Sequence, residues 1–217
     1  MKARSQQGPG AASLEWVEKK EATTGARLGQ IWMPIVAAVV TFALLSSLLR
    51  HWGNDDPYIT YRYAANLLAG HGFVYNVGER ILSTTAPLYA LLLAALGLIW
   101  PDLPALSNAL SAVAVVLGAA SLFLWSRGRG EPAAGMLAAL LLSLSPTLLM
   151  TFGAEICTYV MLILGGLFAY DRERWNLAGL ALALAAMVRP DAVLAALALA
   201  LYHLARRRPV PWRSVGL

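Results

Sequence analysis

LSNALSAVAVVLGAASLFLW, residues 106–125, decides the fold. It carries no charged residue, and as a helix at 1.5 Å per residue it would be roughly 30 Å long, the thickness of a hydrocarbon core. Pro101 and Pro104 precede it, and Arg127 and Arg129 follow it. Similar apolar runs lie on either side, at Ile31–Leu49, Ala86–Trp100, Ala133–Phe152, Ile156–Tyr170, Trp175–Val188 and Ala192–Ala205. Hydrophobic residues make up 59% of the 217 positions and charged residues 13%. A soluble domain carries about 25% charged residues. The pattern predicts an all-α, polytopic membrane protein.

The net charge of +5 does not point to nucleic acid. The basic residues stand in short clusters at the ends of apolar runs, where they orient a membrane protein. Lys2, Arg4, Lys19, Lys20 and Arg27 precede the first run and place the N-terminus in the cytoplasm. If Ala86–Trp100 crossed the membrane, the clusters at 127–129 and 206–208 would fall outside. If it lies on the outer surface, the clusters at 127–129, 172–174 and 206–208 all fall inside. The second arrangement predicts about six transmembrane helices, outer-face juxtamembrane helices and cytoplasmic ends. Residues 1–30 read as a disordered cytoplasmic segment, with Leu14–Ala22 suited to a short surface helix. Residues 31–208 read as the membrane module, with a first outer loop at 50–85 and a surface helix at 86–100. Residues 209–217 read as a cytoplasmic tail. The polar start and the lack of a small-residue cleavage site mark the first run as an uncleaved anchor. The single cysteine, Cys157, excludes an internal disulfide and reads as a small buried filler.

The runs at 156–170, 175–188 and 192–205 are shorter than the hydrocarbon core, and charged residues pin their cytoplasmic ends. Their outer ends therefore sit recessed, and Glu155, Arg189 and Asp191 lie there. A cavity open to the outside would satisfy such groups. A guanidinium at Arg189 suits a lipid phosphate, whereas a simple Arg189–Asp191 pair is the plainer alternative.

The outer stretch 51–96 reads HWGNDDPYITYRYAANLLAGHGFVYNVGERILSTTAPLYALLLAAL. Asp56-Pro57 starts a helix, with an acidic cap and proline at the first helical position. That helix runs to about Leu68 and stops at Gly70. Tyr58, Arg62 and Asn66 share a polar face; Ile59, Tyr63 and Leu67 share an apolar one, as in a helix lying on a membrane surface. Capping accounts for Asp56 but not for Asp55. Two adjacent carboxylates suit a general base or a divalent-cation ligand. His71 reads as turn chemistry, His51 and Trp52 as an interfacial anchor, and His203 as a helix-end residue. Pro146 reads as a kink or the start of an outer loop. Tyr89 reads as core packing or as a cavity residue.

DDPYITYRYAANLLAGHGFVYNVGER (55–80) with STTAPLYALLLAAL (83–96) resembles the first outer loop of GT-C glycosyltransferases. The similarity is to polyprenyl-phosphate-sugar-dependent enzymes related to mycobacterial arabinofuranosyltransferases and protein mannosyltransferases. SPTLLMTFGAE (145–155) resembles the second outer loop, which ends in an acidic residue. ALAAMVRPDAVLAALALALYHLARRR (183–208) resembles the RPE/RPD hairpin. The resemblance implies an inverting sugar transfer on the outer face of a bacterial inner membrane, from a polyprenyl-phosphate donor. It maps the general base onto Asp55, with Asp56 beside it. The candidate donor-binding set is Glu155, Arg189, Arg62 and Tyr58. The acceptor site is unassigned and so is any cofactor, although a divalent cation would suit the paired carboxylates. The pattern departs from the family at Asn76-Val77-Gly78-Glu79, where N-P-G-E is usual, and at GAEIC in the second loop. Family members continue well past the position of Leu217, so the expectation is an N-terminal module with a C-terminal region or a partner subunit beyond it. Two other readings stand beside this one. A non-catalytic GT-C-derived subunit would keep the scaffold alone. A transporter would use Glu155 and Arg189 as an ion path, but lacks an inverted repeat.

Overall fold

The computed structural model describes residues 37, 40–45, 47–49, 55–79 and 81–206, and those from Thr41 onward belong to one compact unit. Of the first expected span, Ile31–Leu49, the described part is helical at 37, 40–45 and 47–48. The expected N-terminal segment 1–30, the anchor at His51 and Trp52, and the tail 209–217 lie outside the described residues.

The helices are α1 (Pro57–Leu68), α2 (Pro87–Gly97), α3 (Leu103–Gly128), α4 (Pro132–Ser143), α5 (Pro146–Met150), α6 (Ile156–Asp171), α7 (Trp175–Val188) and α8 (Ala192–Ala205). No strand occurs among the described residues. Helices α1 to α5 each carry proline in the first two helical positions, where its missing N–H costs nothing and its fixed φ favours the turn. Asp102 caps α3 by accepting the Ala105 N–H at 3.1 Å.

The expected run Ala133–Phe152 is not one straight helix. It breaks at Leu144–Ser145, and α5 restarts at Pro146, which has no N–H to continue the ladder. Leu103–Gly128 and Pro132–Met150 are the two stretches long and apolar enough to cross a membrane. Only 33% and 11% of their most apolar windows are buried inside the protein. A soluble core helix would bury most of that surface, so these faces suit lipid. Helix α2 has 11 residues and reaches roughly 16 Å, too short to span.

Helix α3 packs on α4 and α6, α6 on α7, and α7 on α8; α1 lies on α2, which reaches α3 and α7. Small residues permit the close approaches. A Cβ added at Gly135 would sit 2.8 Å from the Ser126 Cβ and 3.1 Å from the Phe123 carbonyl, so α4 runs against the backbone of α3. One buried cluster joins α1, α2 and the start of α3 through Tyr61, Ala64, Tyr89, Leu93, Leu103 and Leu106. Another joins Leu45, Ala112, Val115, Leu148, Phe152 and Cys157.

The described residues of the basic clusters gather at one end. Arg129 pairs with Asp171 at 2.7 Å, and Arg172 lies beside Gly128 and the Leu124 carbonyl. The Tyr170 hydroxyl and His203 Nδ1 are 2.9 Å apart, which brings the C-terminal end of α8 to the same place. Residues 127–129, 171–174 and 203–206 therefore share one end of the bundle. Glu155 and Arg189 occupy the other end of α6 and α7.

Candidate active site

The residues singled out from the sequence fall on three elements. Asp55 and Asp56 start α1, Glu155 starts α6, and Arg189 to Asp191 form the tight turn from α7 to α8. Asp56, Glu155 and Asp191 occupy the N-cap positions of α1, α6 and α8, and none of the three side chains makes a capping hydrogen bond. An uncapped carboxylate at a helix start still gains from the positive end of the helix dipole, and its oxygens remain available to other partners.

For Asp56 this overturns the capping expectation. The residue already has helical φ and ψ, −52° and −45°, whereas a capping side chain needs a more extended backbone. Asp55 does the local work instead: its Oδ1 accepts the Asp56 N–H at 3.1 Å. Both carboxylates are exposed.

Glu155 and Asp191 turn to Arg189. The guanidinium donates through Nη1 to Glu155 Oε1 at 3.0 Å and through Nε to Asp191 Oδ1 at 3.2 Å. Among the described residues its other three N–H groups have no protein acceptor, and the side chain keeps 32% of its surface open. Its Cζ lies 5.9 Å from the centroid of the Tyr159 ring. Burial would lower the affinity of the guanidinium for its proton, but the hydrogen bond and charge of Asp191, then those of Glu155, outweigh burial and shift it upward. Arg189 is thus a permanent cation. One guanidinium and two carboxylates give the cluster a formal charge of −1.

The face assignment of α1 needs one correction. Tyr58 and Arg62 are exposed as expected, but Asn66 is buried. The segment after Gly70 folds back over the helix, and the Asn66 amide donates to the Val74 and Tyr75 carbonyls, each at 2.8 Å. Arg62 Nε reaches the same Tyr75 carbonyl at 3.3 Å, so this candidate donor-binding residue also braces the loop. Tyr63, placed on an apolar face, is fully buried and bonded through its hydroxyl to the Ile81 carbonyl at 2.7 Å and Ser83 Oγ at 2.9 Å. Tyr58 stands edge-on to Tyr61, ring centroids 5.1 Å apart.

A second polar cluster escaped the reading of the sequence. The Gly153 carbonyl accepts from Tyr61 Oη at 2.7 Å and from Ser107 Oγ. The Gly153 N–H donates to Ser111 Oγ at 3.0 Å, and Tyr89 Oη lies 2.7 Å from Ser107 Oγ. Tyr89, open between packing and cavity in the sequence, is core. Gly153 has φ +87°, and a Cβ there would overlap Asn108 Oδ1. The signal was Ser107, Asn108 and Ser111 in an otherwise apolar span: polar groups one turn apart in such a helix need a polar partner facing them. Burial pushes the Tyr61 phenol up to about 12, opposed by the neighbouring Ser107 hydroxyl and assisted by the charges of Tyr58 and Glu155.

Cys157 is buried, with its Sγ 3.9 Å from the Leu148 carbonyl, as a filler would be. Among the described residues no three His, Cys, Asp or Glu side chains group closely enough to hold a metal ion.

The described structure is an all-helical protein with two stretches long and apolar enough to cross a membrane. The chain is similar, over part of its length, to curated glycosyltransferases. It is 40% identical over 63 residues to the terminal beta-(1->2)-arabinofuranosyltransferase of Mycobacterium tuberculosis, covering 29% of this chain and 10% of that protein. It is 44% identical over 48 residues to the protein of the same name from Corynebacterium glutamicum, covering 22% of this chain and 7% of that protein. The match thus spans a tenth or less of the length of these relatives. No protein-family model and no solved structure matches the chain.

Proposed function

We propose that this chain is the N-terminal module of a GT-C membrane glycosyltransferase. It transfers a sugar from a polyprenyl-phosphate donor to an acceptor hydroxyl on the outer face of the bacterial inner membrane. Six helices cross the membrane, the ends are cytoplasmic, and helix 86–100 lies on the outer surface. The gathering of residues 127–129, 171–174 and 203–206 at one end of the bundle supports that orientation.

The observation that carries the reading is Arg189, held between Glu155 and Asp191 with three N–H groups to spare. A fixed, partly open guanidinium suits a phosphate, whose oxygens it can bind in a two-pronged way. The donor would enter sideways from the outer leaflet, its tail in lipid and its phosphate at Arg189. Tyr58 and Arg62 on the open face of α1, with Glu155, would line the donor.

The chemistry is a displacement with inversion. The acceptor oxygen attacks the anomeric carbon as the bond to the phosphate oxygen breaks. Asp55 takes the acceptor proton, and the polyprenyl phosphate leaves with the bonding electron pair, its added charge stabilised by Arg189. The partial likeness to the two arabinofuranosyltransferases supports a pentofuranose or related sugar.

The competing reading has a specific observation behind it: the Arg189–Asp191 hydrogen bond would brace the α7–α8 turn without any ligand. Membranes carrying the protein, supplied with a set of polyprenyl-phosphate sugars, test the proposal. Transfer that depends on Asp55 and Arg189 is expected. Lipid binding indifferent to Arg189 overturns the reading.

A further inference from the structure

We infer that Tyr61 is a positioning residue that couples the carboxylate pair on α1 to the phosphate site at Arg189, acting through the backbone of Gly153. The inference rests on the reading of Arg189 given above.

The Gly153 peptide is a junction of four segments. Tyr61 reaches it from α1, and Ser107 and Ser111 reach it from α3. Tyr89 of α2 supports Ser107, and Asn108, beside Gly153, donates to the Leu49 carbonyl at 3.1 Å. Tyr61, Tyr89, Ser107, Asn108 and Ser111 are all buried, so these bonds are shielded from water and hold their geometry. Two residues beyond Gly153 stands Glu155, which holds Arg189.

Tyr61 differs from the others. Ser107 and Ser111 fix the second outer loop to a spanning helix. Among the described residues Tyr61 makes the hydrogen bond from α1 to that loop, and α1 starts with Asp55 and Asp56. Its ring also meets Tyr58, one turn closer to the carboxylates. An anion that settles on Arg189 acts on Glu155, and any shift in residues 153–155 is passed to α1 through this hydroxyl. The base would then be ordered only when the donor phosphate is in place. The strut is a neutral donor throughout the physiological range, so charge does not switch it.

Hydrogen–deuterium exchange of the full chain in detergent micelles tests this, with undecaprenyl monophosphate as the probe. In the parent, the lipid should slow exchange about fivefold both at residues 153–159 and in the first turns of α1. In Tyr61→Phe, which keeps the ring and loses one oxygen, protection at 153–159 should persist, and that at 57–62 should fall to less than about twofold. Ser107→Ala also removes a donor from the Gly153 carbonyl but leaves Tyr61 in place; it should still pass protection to α1. A purely structural Tyr61 would speed exchange without lipid and leave the lipid-induced change on α1 intact, which overturns the inference alone. Loss of the α1 response in Ser107→Ala would also overturn it, whether or not Tyr61→Phe folds, because burial of the whole junction would then carry the effect. Equal protection in the parent and Arg189→Ala overturns the phosphate reading, and this inference with it.

Discussion

Arg189 reaches across 34 residues of chain to hold Glu155 at 3.0 Å, while Asp191, two residues on, holds its other edge at 3.2 Å. Neither carboxylate caps the helix it begins. The helix starts of α6 and α8 therefore present their negative side chains to one cation, and that cation keeps part of its fork open.

Arg189→Ala should weaken undecaprenyl monophosphate binding by roughly 2–3 kcal/mol, on the order of 30- to 150-fold in Kd, the loss of charge-assisted hydrogen bonds. Arg189→Lys should fall between, since an ammonium cannot bind in the same two-pronged way. Asp191→Ala should leave lipid-induced thermal stabilisation in place. If Asp191→Ala and Arg189→Ala destabilise the lipid-free protein alike, and neither changes lipid binding, the pair is only a brace for the turn.

Glu155→Gln should tighten the same lipid. The formal charge at Arg189 goes from −1 to 0, and the glutamine carbonyl still accepts from Nη1. A gain of about threefold to tenfold at low ionic strength is expected, shrinking as salt is raised. Weaker binding by isothermal titration would show that the guanidinium needs the glutamate charge to stay in position.

Asp55→Asn should reduce transfer by roughly 10²- to 10⁴-fold, because an amide cannot take the acceptor proton. The carboxylate is exposed, so folding should be unaffected. Asp56→Ala should melt within a degree or two of the parent, since its side chain caps nothing and the usual cost of about 1 kcal/mol for losing a cap does not apply. A drop of several degrees would mean that the side chain caps α1 after all.

Burial pushes the Tyr61 phenol up to about 12 in the folded protein, above its ordinary 10. A folded value above the unfolded one contributes stability that is fully present below pH 10 and is lost as pH rises from 10 to 12. The two units amount to an order of 2–3 kcal/mol. Denaturant melts between pH 9 and 12 should therefore fall less steeply for Tyr61→Phe than for the parent. Parallel curves would mean that Tyr61 does not lose its proton across this window.

Topology is best read by cysteine labelling at sites that tolerate the change. Gly78 has φ +92° and would be strained by a side chain, and a Cβ at Gly128 meets the Arg172 guanidinium at 2.7 Å. Val77 and Glu131 are exposed and free of both problems. In intact cells an impermeant maleimide should label Val77→Cys and leave Glu131→Cys unlabelled. The native Cys157 is buried and should not interfere. Labelling at Glu131→Cys would place 86–100 across the membrane.

Local chemistry explains what could be read in advance. Prolines mark the starts of α1 to α5, apolar runs mark the helices, and an uncharged stretch of twenty residues marks α3, because these depend on neighbours in the chain. The Asp55–Asp56 pair stood out for the same reason, and so did the basic clusters. Only the tertiary structure decided that Asn66 turns inward, since that depends on the loop after Gly70 folding back over α1. It also decided that Asp56 caps nothing, which follows from the φ and ψ the chain adopts there rather than from residue type. The Glu155–Arg189 pair joins residues 34 apart, and the Tyr61–Gly153 bond joins residues 92 apart. No helical or strand period links such positions. They meet because α3, α6 and α7 pack side by side through small residues, and that packing fixes which polar groups share an end of the bundle.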